Sequence, residues 1–203
     1  TFIPETNDIE VGTIAYSVSR VGTDGELAIP ARSGSQEDLT STNGGDLVLL
    51  TLNGALTVNA GADGGSGIAT DGDLLLQSGE TGEGVEDNAD DVSINAQIRS
   101  TNGSISVVAA DNVAQSAAGD LQTDADSAAI DVEAQGAITM ADGTSVNAFG
   151  GASIRYAALG GTLVLGRIDA GASDSISLFA STSLIDAAVD GDTAVDILGD
   201  GLR

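Results

Sequence analysis

"STNGSISVVAADNVAQ", residues 100–115, is the stretch whose reading decides the fold. It opens on a polar corner, Ser100 to Gly103, and runs into an alternating strand at Ile105 and Val107. After a short break it offers another apolar position at Val113. The same corner letters stand at Ser41–Gly44, ahead of "GDLVLLTL". A corner that returns before the same kind of strand signals an internal repeat, and a repeat constrains the fold more than any single motif does.

The strand at Ile105 recurs at Ile130 after 25 residues, at Ile154 after 24 and at Ile176 after 22. Upstream, Leu74 and Leu76 precede it by 31, and Val48 and Leu50 occupy the same place 26 residues before Leu74. Downstream, Val195 and Ile197 continue the series. A second position travels with the first at Leu56, Val113, Ile138, Leu163 and Leu184, eight or nine residues later. A third follows at Leu121, Val146 and Ile168, with Val92 and Ile98 filling the second and third places of the coil that starts at Leu74. The connections are rich in Gly, Asn, Asp and Ser, and Asn43, Asn53 and Asn102 precede glycines where the backbone must tolerate positive φ.

No segment of about 12 residues carries the 3–4 apolar spacing of a helix. The chain is all-β. A β-sandwich is the alternative architecture, but it predicts tight hairpins and no fixed multi-strand period. The repeat of roughly 20–25 residues predicts a parallel β-helix, a solenoid with two or three short strands per coil. Residues 1–43 read as an irregular lead-in and capping segment with one or two strands, and 44–203 as the solenoid. "QSGETGEGVEDNADD" makes one connection longer than its sisters, so an acidic loop at about 77–91 projects from a corner.

Composition bounds the function. The chain has 203 residues, 28 glycines, 41% hydrophobic and 2% aromatic residues, no Cys, His, Lys or Trp, and a formal charge of -25. That charge opposes binding to nucleic acid, whose phosphates need a basic surface, and to anionic membranes. Apolar runs are far too short for membrane insertion. Without His there is no ordinary base near neutrality and no Ser-His-Asp arrangement, and without Lys or Cys the nucleophiles shrink to hydroxyls and carboxylates. The chain does not read as an enzyme. Tyr156 falls at an inward position, Phe179 at an outward one.

Glu80, Glu83, Glu86, Asp87, Asp90 and Asp91 crowd the long loop and form a candidate calcium cluster, because a hard cation takes six to eight oxygens. The bland reading is a solvated acidic loop. Neither "GGSGIATDGD" nor "DADSAAIDVE" completes a calcium motif: Ala69 and Ala129 stand where Asp and Gly are needed.

The stretches "STNGGDLVLLTLNGALTVNAG", "STNGSISVVAADNVAQ", "AIDVEAQGAITMADGTSVNAFGG" and "LVLGRIDAGASDSISL" resemble repeats of giant bacterial exoproteins of the filamentous-haemagglutinin type. The resemblance covers about Gly44 to Arg203 and brings no catalytic motif. It implies a right-handed parallel β-helix in a very large bacterial polypeptide, extracellular or on the cell surface. The expected function is a structural segment of a filamentous or adhesin-like protein, a stiff acidic rod. The alternative is a carbohydrate-binding or carbohydrate-cleaving β-helix using carboxylates and calcium. Expected partners are neighbouring copies or further repeats of the same giant chain, stacked end to end, and host or matrix glycans. Thr1 without an initiator Met, and "TAVDILGDGLR", still strand-like at the other end, read as cuts from something longer.

Overall fold

The computed structural model describes residues 1–62, 65–80, 89–149, 152–171, 175–187, 197–199 and 201–202. Every regular element among them is a strand. Three parallel sheets of eight, seven and seven strands take one strand from each coil in turn, so the chain winds as a solenoid. The coil of the opening stretch shows the grammar. Ile105–Ala109 lies in the first sheet, Val113–Gln115 in the second and Leu121–Thr123 in the third, and Ile130–Ala134 then returns to the first.

The alternation sets the inside. Ile105–Ala109 and Ile130–Ala134 bury every other residue and leave the rest half-exposed, as a pleat with period two requires. Ile105, Ile130, Ile154 and Ile176 stack directly in the first sheet. Val113, Ile138, Leu163 and Leu184 do the same in the second. Leu121, Val146, Ile168 and Ile197 form the third column. The inward faces of the three sheets pack on one another, so each parallel sheet is covered on its inner side only. The eight-stranded sheet spans about 34 Å at the usual strand spacing.

Two expected positions shift. The register sets Leu47 and Leu49, not Val48 and Leu50, in line with Leu74 and Leu76. "LVLL" is apolar in both phases, and only the buried phase, with Leu47 and Leu49 at 1% exposure, is inside. Ile197 pairs with Ile168 in the third sheet, and Leu202 is the residue that aligns with Ile176. Val195 lies outside the described residues.

Residues 1–41 build a coil of their own. Phe2–Glu5 pairs in register with Val48–Thr51, Ile9–Val11 with Leu56–Val58, and Leu39–Ser41 with Ile68–Thr70. Pro4 is tolerated because its strand lies at the sheet edge, where a missing N–H breaks no ladder. Between Val11 and Leu39 the chain leaves the coil as an antiparallel arm, Ile14–Val21 against Leu27–Gln36. Its turn is closed by Gly22 N donating to Glu26 O at 2.7 Å, with Gly25 at a φ of 83°.

The two copies of the Ser-Thr-Asn-Gly corner owe their glycines to different constraints: Gly44 meets open space but takes a φ of 71°, whereas Gly103 is held by sterics. A Cβ on Gly103 would sit 2.3 Å from the carbonyl carbon of Gly72, and one on Gly72 would sit 3.0 Å from that of Gly45. Backbone stacks on backbone there, so only glycine fits. Gly103→Ala is therefore expected to destabilise the fold by roughly 1–3 kcal/mol, while Gly65→Ala, which meets open space, leaves the urea midpoint nearly unchanged. Equal midpoints for the two variants would contradict the stacked corner.

Candidate functional surfaces

Most of the described acidic corner residues have a structural task. Asp46 Oδ1 accepts the amide of Asp73 at 3.0 Å, and Asp73 Oδ1 accepts that of Ser104 at 2.8 Å. Ser104 Oγ then accepts the amide of Ala129 at 3.1 Å. A second corner repeats the device. Asp8 Oδ1 takes the Ala55 amide, Asp91 Oδ1 that of Asn112, and Asn112 Oδ1 that of Ala137. Asp120 Oδ1 takes the Ser145 amide at 2.7 Å at a third. Each carboxylate or amide thus satisfies an N–H of the following coil that the corner would leave without a strand partner.

The buried corners use neutral donors. Ser100 Oγ donates to Gly72 O at 2.8 Å and accepts from Gly103 N at 2.9 Å. Thr70 Oγ1 donates to Gly45 O, and Thr144 Oγ1 to Ser116 O. These hydroxyls are almost wholly buried, and each one bonded avoids the 1–3 kcal/mol that an unmet buried polar group costs.

Of the candidate calcium cluster, Glu80, Asp90 and Asp91 lie among the described residues. Glu83, Glu86 and Asp87 lie outside the described residues. Asp91 serves the corner ladder through Asn112. Asp90 is 1% exposed. Its backbone is clamped at the loop base, with Ser78 Oγ donating to its carbonyl at 2.5 Å and its own amide donating to Asp111 Oδ2 at 3.0 Å. Among the described residues no group of three or more acidic side chains is arranged to hold a metal ion. Asp111, a buried acid, belongs to this loop base and was not foreseen. Its only sequence signal is a position just before Asn112 in the corner that follows Ile105–Ala109.

The outer faces carry ion pairs between coils. Arg155 donates from Nη1 to Asp131 Oδ1 at 2.8 Å and from Nη2 to Glu133 Oε2 at 2.5 Å. The bond it donates to Glu133, then that to Asp131, strengthens the guanidinium's hold on its proton. Arg99 Nε donates to Asp124 Oδ2 at 2.8 Å. Partial burial pushes the Asp124 carboxyl up, but the bonds from Gln122 and Arg99 together outweigh it and hold the group below its ordinary value. Asp124 therefore favours the folded state above the usual carboxylate range, and that contribution fades as pH falls through its lowered pKa. The pair is largely solvent-exposed, which keeps it modest. Phe179 is 52% exposed on the same face as Arg155.

Inside, Tyr156 is the bulkiest fully buried side chain. Its hydroxyl donates to Gln115 Oε1 at 2.8 Å, and Gln115 Nε2 donates to Gly119 O at 2.9 Å. Burial pushes the phenol far above its ordinary pKa, only partly offset by the bond to Gln115.

No family model matches the chain, and neither a curated protein nor a solved structure is significantly similar to it.

Because Tyr156 stays protonated in the fold and ionises near pH 10 once unfolded, the unfolded chain binds fewer protons there above that pH. Stability is full below pH 10 and falls by about 1.4 kcal/mol per pH unit above it. Denaturation series between neutral and strongly alkaline pH should show this slope, and Tyr156→Phe should flatten it. A Tyr156 phenolate absorbance that rises before unfolding would contradict the buried assignment.

Proposed function

We propose that this chain is a structural segment of a filamentous or adhesin-like protein at a bacterial surface or outside the cell, working as a stiff acidic rod. The observation that carries the reading is the parallel pairing of three sheets, coil upon coil, from Phe2 to Leu202, with a register shift between Gln97 and Ile98 in the third. Continuous parallel ladders resist bending, because bending must break or stretch many inter-coil bonds at once. Many of the described carboxylates hold coils together, as corner acceptors or as partners of Arg155. The repeat style shared with haemagglutinin-type exoproteins supports the same role. The formal charge of -25 keeps such rods soluble and apart. Further repeats of a longer chain, or copies stacked end to end, extend the rod, and the arm and the acidic loop are its points of contact with glycans or other partners.

Small-angle scattering of the dilute chain should give a straight stub whose cross-section is constant along its length, and whose profile holds from low to high salt. A profile that collapses or flexes with salt would overturn the rod. Release of reducing sugar from polysaccharides, lost in Asp131→Asn or Glu133→Gln variants that still fold, would replace it with the carbohydrate-cleaving alternative.

A further inference from the structure

Three Asn-Gly pairs stand at corners of the solenoid: Asn43-Gly44, Asn53-Gly54 and Asn102-Gly103. All three asparagines are exposed. An asparagine before glycine has a reaction open to it that bulkier pairs resist. With no Cβ in the way, the glycine amide nitrogen can attack the asparagine's side-chain carbonyl carbon. In a folded chain the attack needs an amide free to lose its proton and a backbone free to turn. The three corners differ on both counts, although two of them are spelled with the same four letters.

At Asn102 the reaction is blocked twice. The Gly103 amide donates to Ser100 Oγ at 2.9 Å, and Ser100 is wholly buried. Gly103 is buried as well, and its backbone lies against that of Gly72, with room for no Cβ between them. At Asn53 the following Gly54 is also buried, and a Cβ there would sit 2.8 Å from the backbone of Asn7 and Asp8. Both corners are held by the coil stacked on them. Asn43 is different. Gly44 is exposed, and a Cβ on it would meet nothing within 4 Å. Its amide donates to Asp71 Oδ2 at 3.5 Å, a weak hold, because the amide of Asn43 takes the same oxygen at 2.7 Å. The leaving group, Asn43 Nδ2, donates to the exposed Thr42 Oγ1 at 3.2 Å.

We propose that Asn43 is a modification site, deamidated by its own backbone, and that the fold protects Asn53 and Asn102 from the same reaction. The Gly44 amide gives its proton to hydroxide, and its nitrogen bonds to Asn43 Cγ. The Cγ–Nδ2 bond breaks, and Nδ2 takes a proton from water and leaves as ammonia, which closes a cyclic imide. Water then opens the imide at either carbonyl. The product is aspartate at position 43 or its β-linked isomer, in which the main chain runs through the side-chain carbon. Either product adds one negative charge beside Asp71. The isomer also lengthens the corner by one methylene, which the open space around Gly44 admits. The solenoid therefore survives the change and carries it as a surface mark of age. The inference goes beyond the rod reading and does not depend on it.

The test is incubation of the full chain at mildly alkaline pH, folded and, in parallel, unfolded in urea. Peptide mapping by mass spectrometry follows each asparagine, and an isoaspartyl methyltransferase counts the β-linked isomer. In urea all three sites should react at similar rates, since each is followed by glycine. In the fold Asn43 should react within about tenfold of its unfolded rate, and Asn53 and Asn102 at least about tenfold more slowly than Asn43. For Asn102 that margin is the cost of breaking one buried hydrogen bond before attack. Ion-exchange chromatography of the folded wild type should show a more acidic species growing with time, and Asn43→Gln should abolish it. Asn53 or Asn102 reacting in the fold within tenfold of Asn43 overturns the proposal, as does folding that slows Asn43 by more than tenfold.

Discussion

Every coil must place its inward side chains directly over those of the coil before it, at the strand spacing of about 4.8 Å. The rest of the structure follows from that constraint. Ile130 sits between Ile105 and Ile154, so its volume is fixed by neighbours above and below as well as across the lumen. The interior admits few aromatics because a narrow coil has no room for them column after column. Tyr156 is the exception, and its hydroxyl is accommodated because Gln115 is there to accept its hydrogen bond.

The same stacking dictates the polar chemistry. Strand amides find partners in the ladders, but corner amides do not, and the corners recur with every coil. Acceptors at Asp46, Asp73, Asp91, Asn112 and Asp120 meet this need through bonds to the next coil's backbone. Part of the strong negative charge is thus a by-product of corner construction. It also accounts for the division of the carboxylates in the long loop, where Asp91 is drawn into a ladder and Asp90 into the buried loop base.

The solenoid was legible because the Ile105, Ile130, Ile154 and Ile176 columns announce themselves by phase and interval together. Phase failed where the sequence is apolar in both registers, as at Leu47 to Leu50, since only neighbours one coil away decide which pair turns inward. Interval failed at Ile197, where a third-sheet strand resembles a first-sheet one. The pairing of Tyr156 with Gln115, 41 residues apart, and the role of Asp111 depend on which coil lies beside which, and no local pattern carries that. The leading segment looked irregular because the arm splits one coil across residues 2 to 41. Its three short strands are ordinary repeat strands interrupted by a hairpin.

The central claim is the in-register stacking of parallel coils, and the absence of cysteine from the chain makes it directly measurable. Ala114 and Thr139 are outward-facing partners on adjacent coils, and Val164 lies one coil further along the same column. Paired cysteines at 114 and 139, roughly 5 Å apart, should be bridged rapidly and intramolecularly by a short bifunctional thiol reagent. Cysteines at 114 and 164, roughly 10 Å apart, should be bridged far more slowly. Bridging of the second pair at a rate equal to or above that of the first would contradict the stacked solenoid.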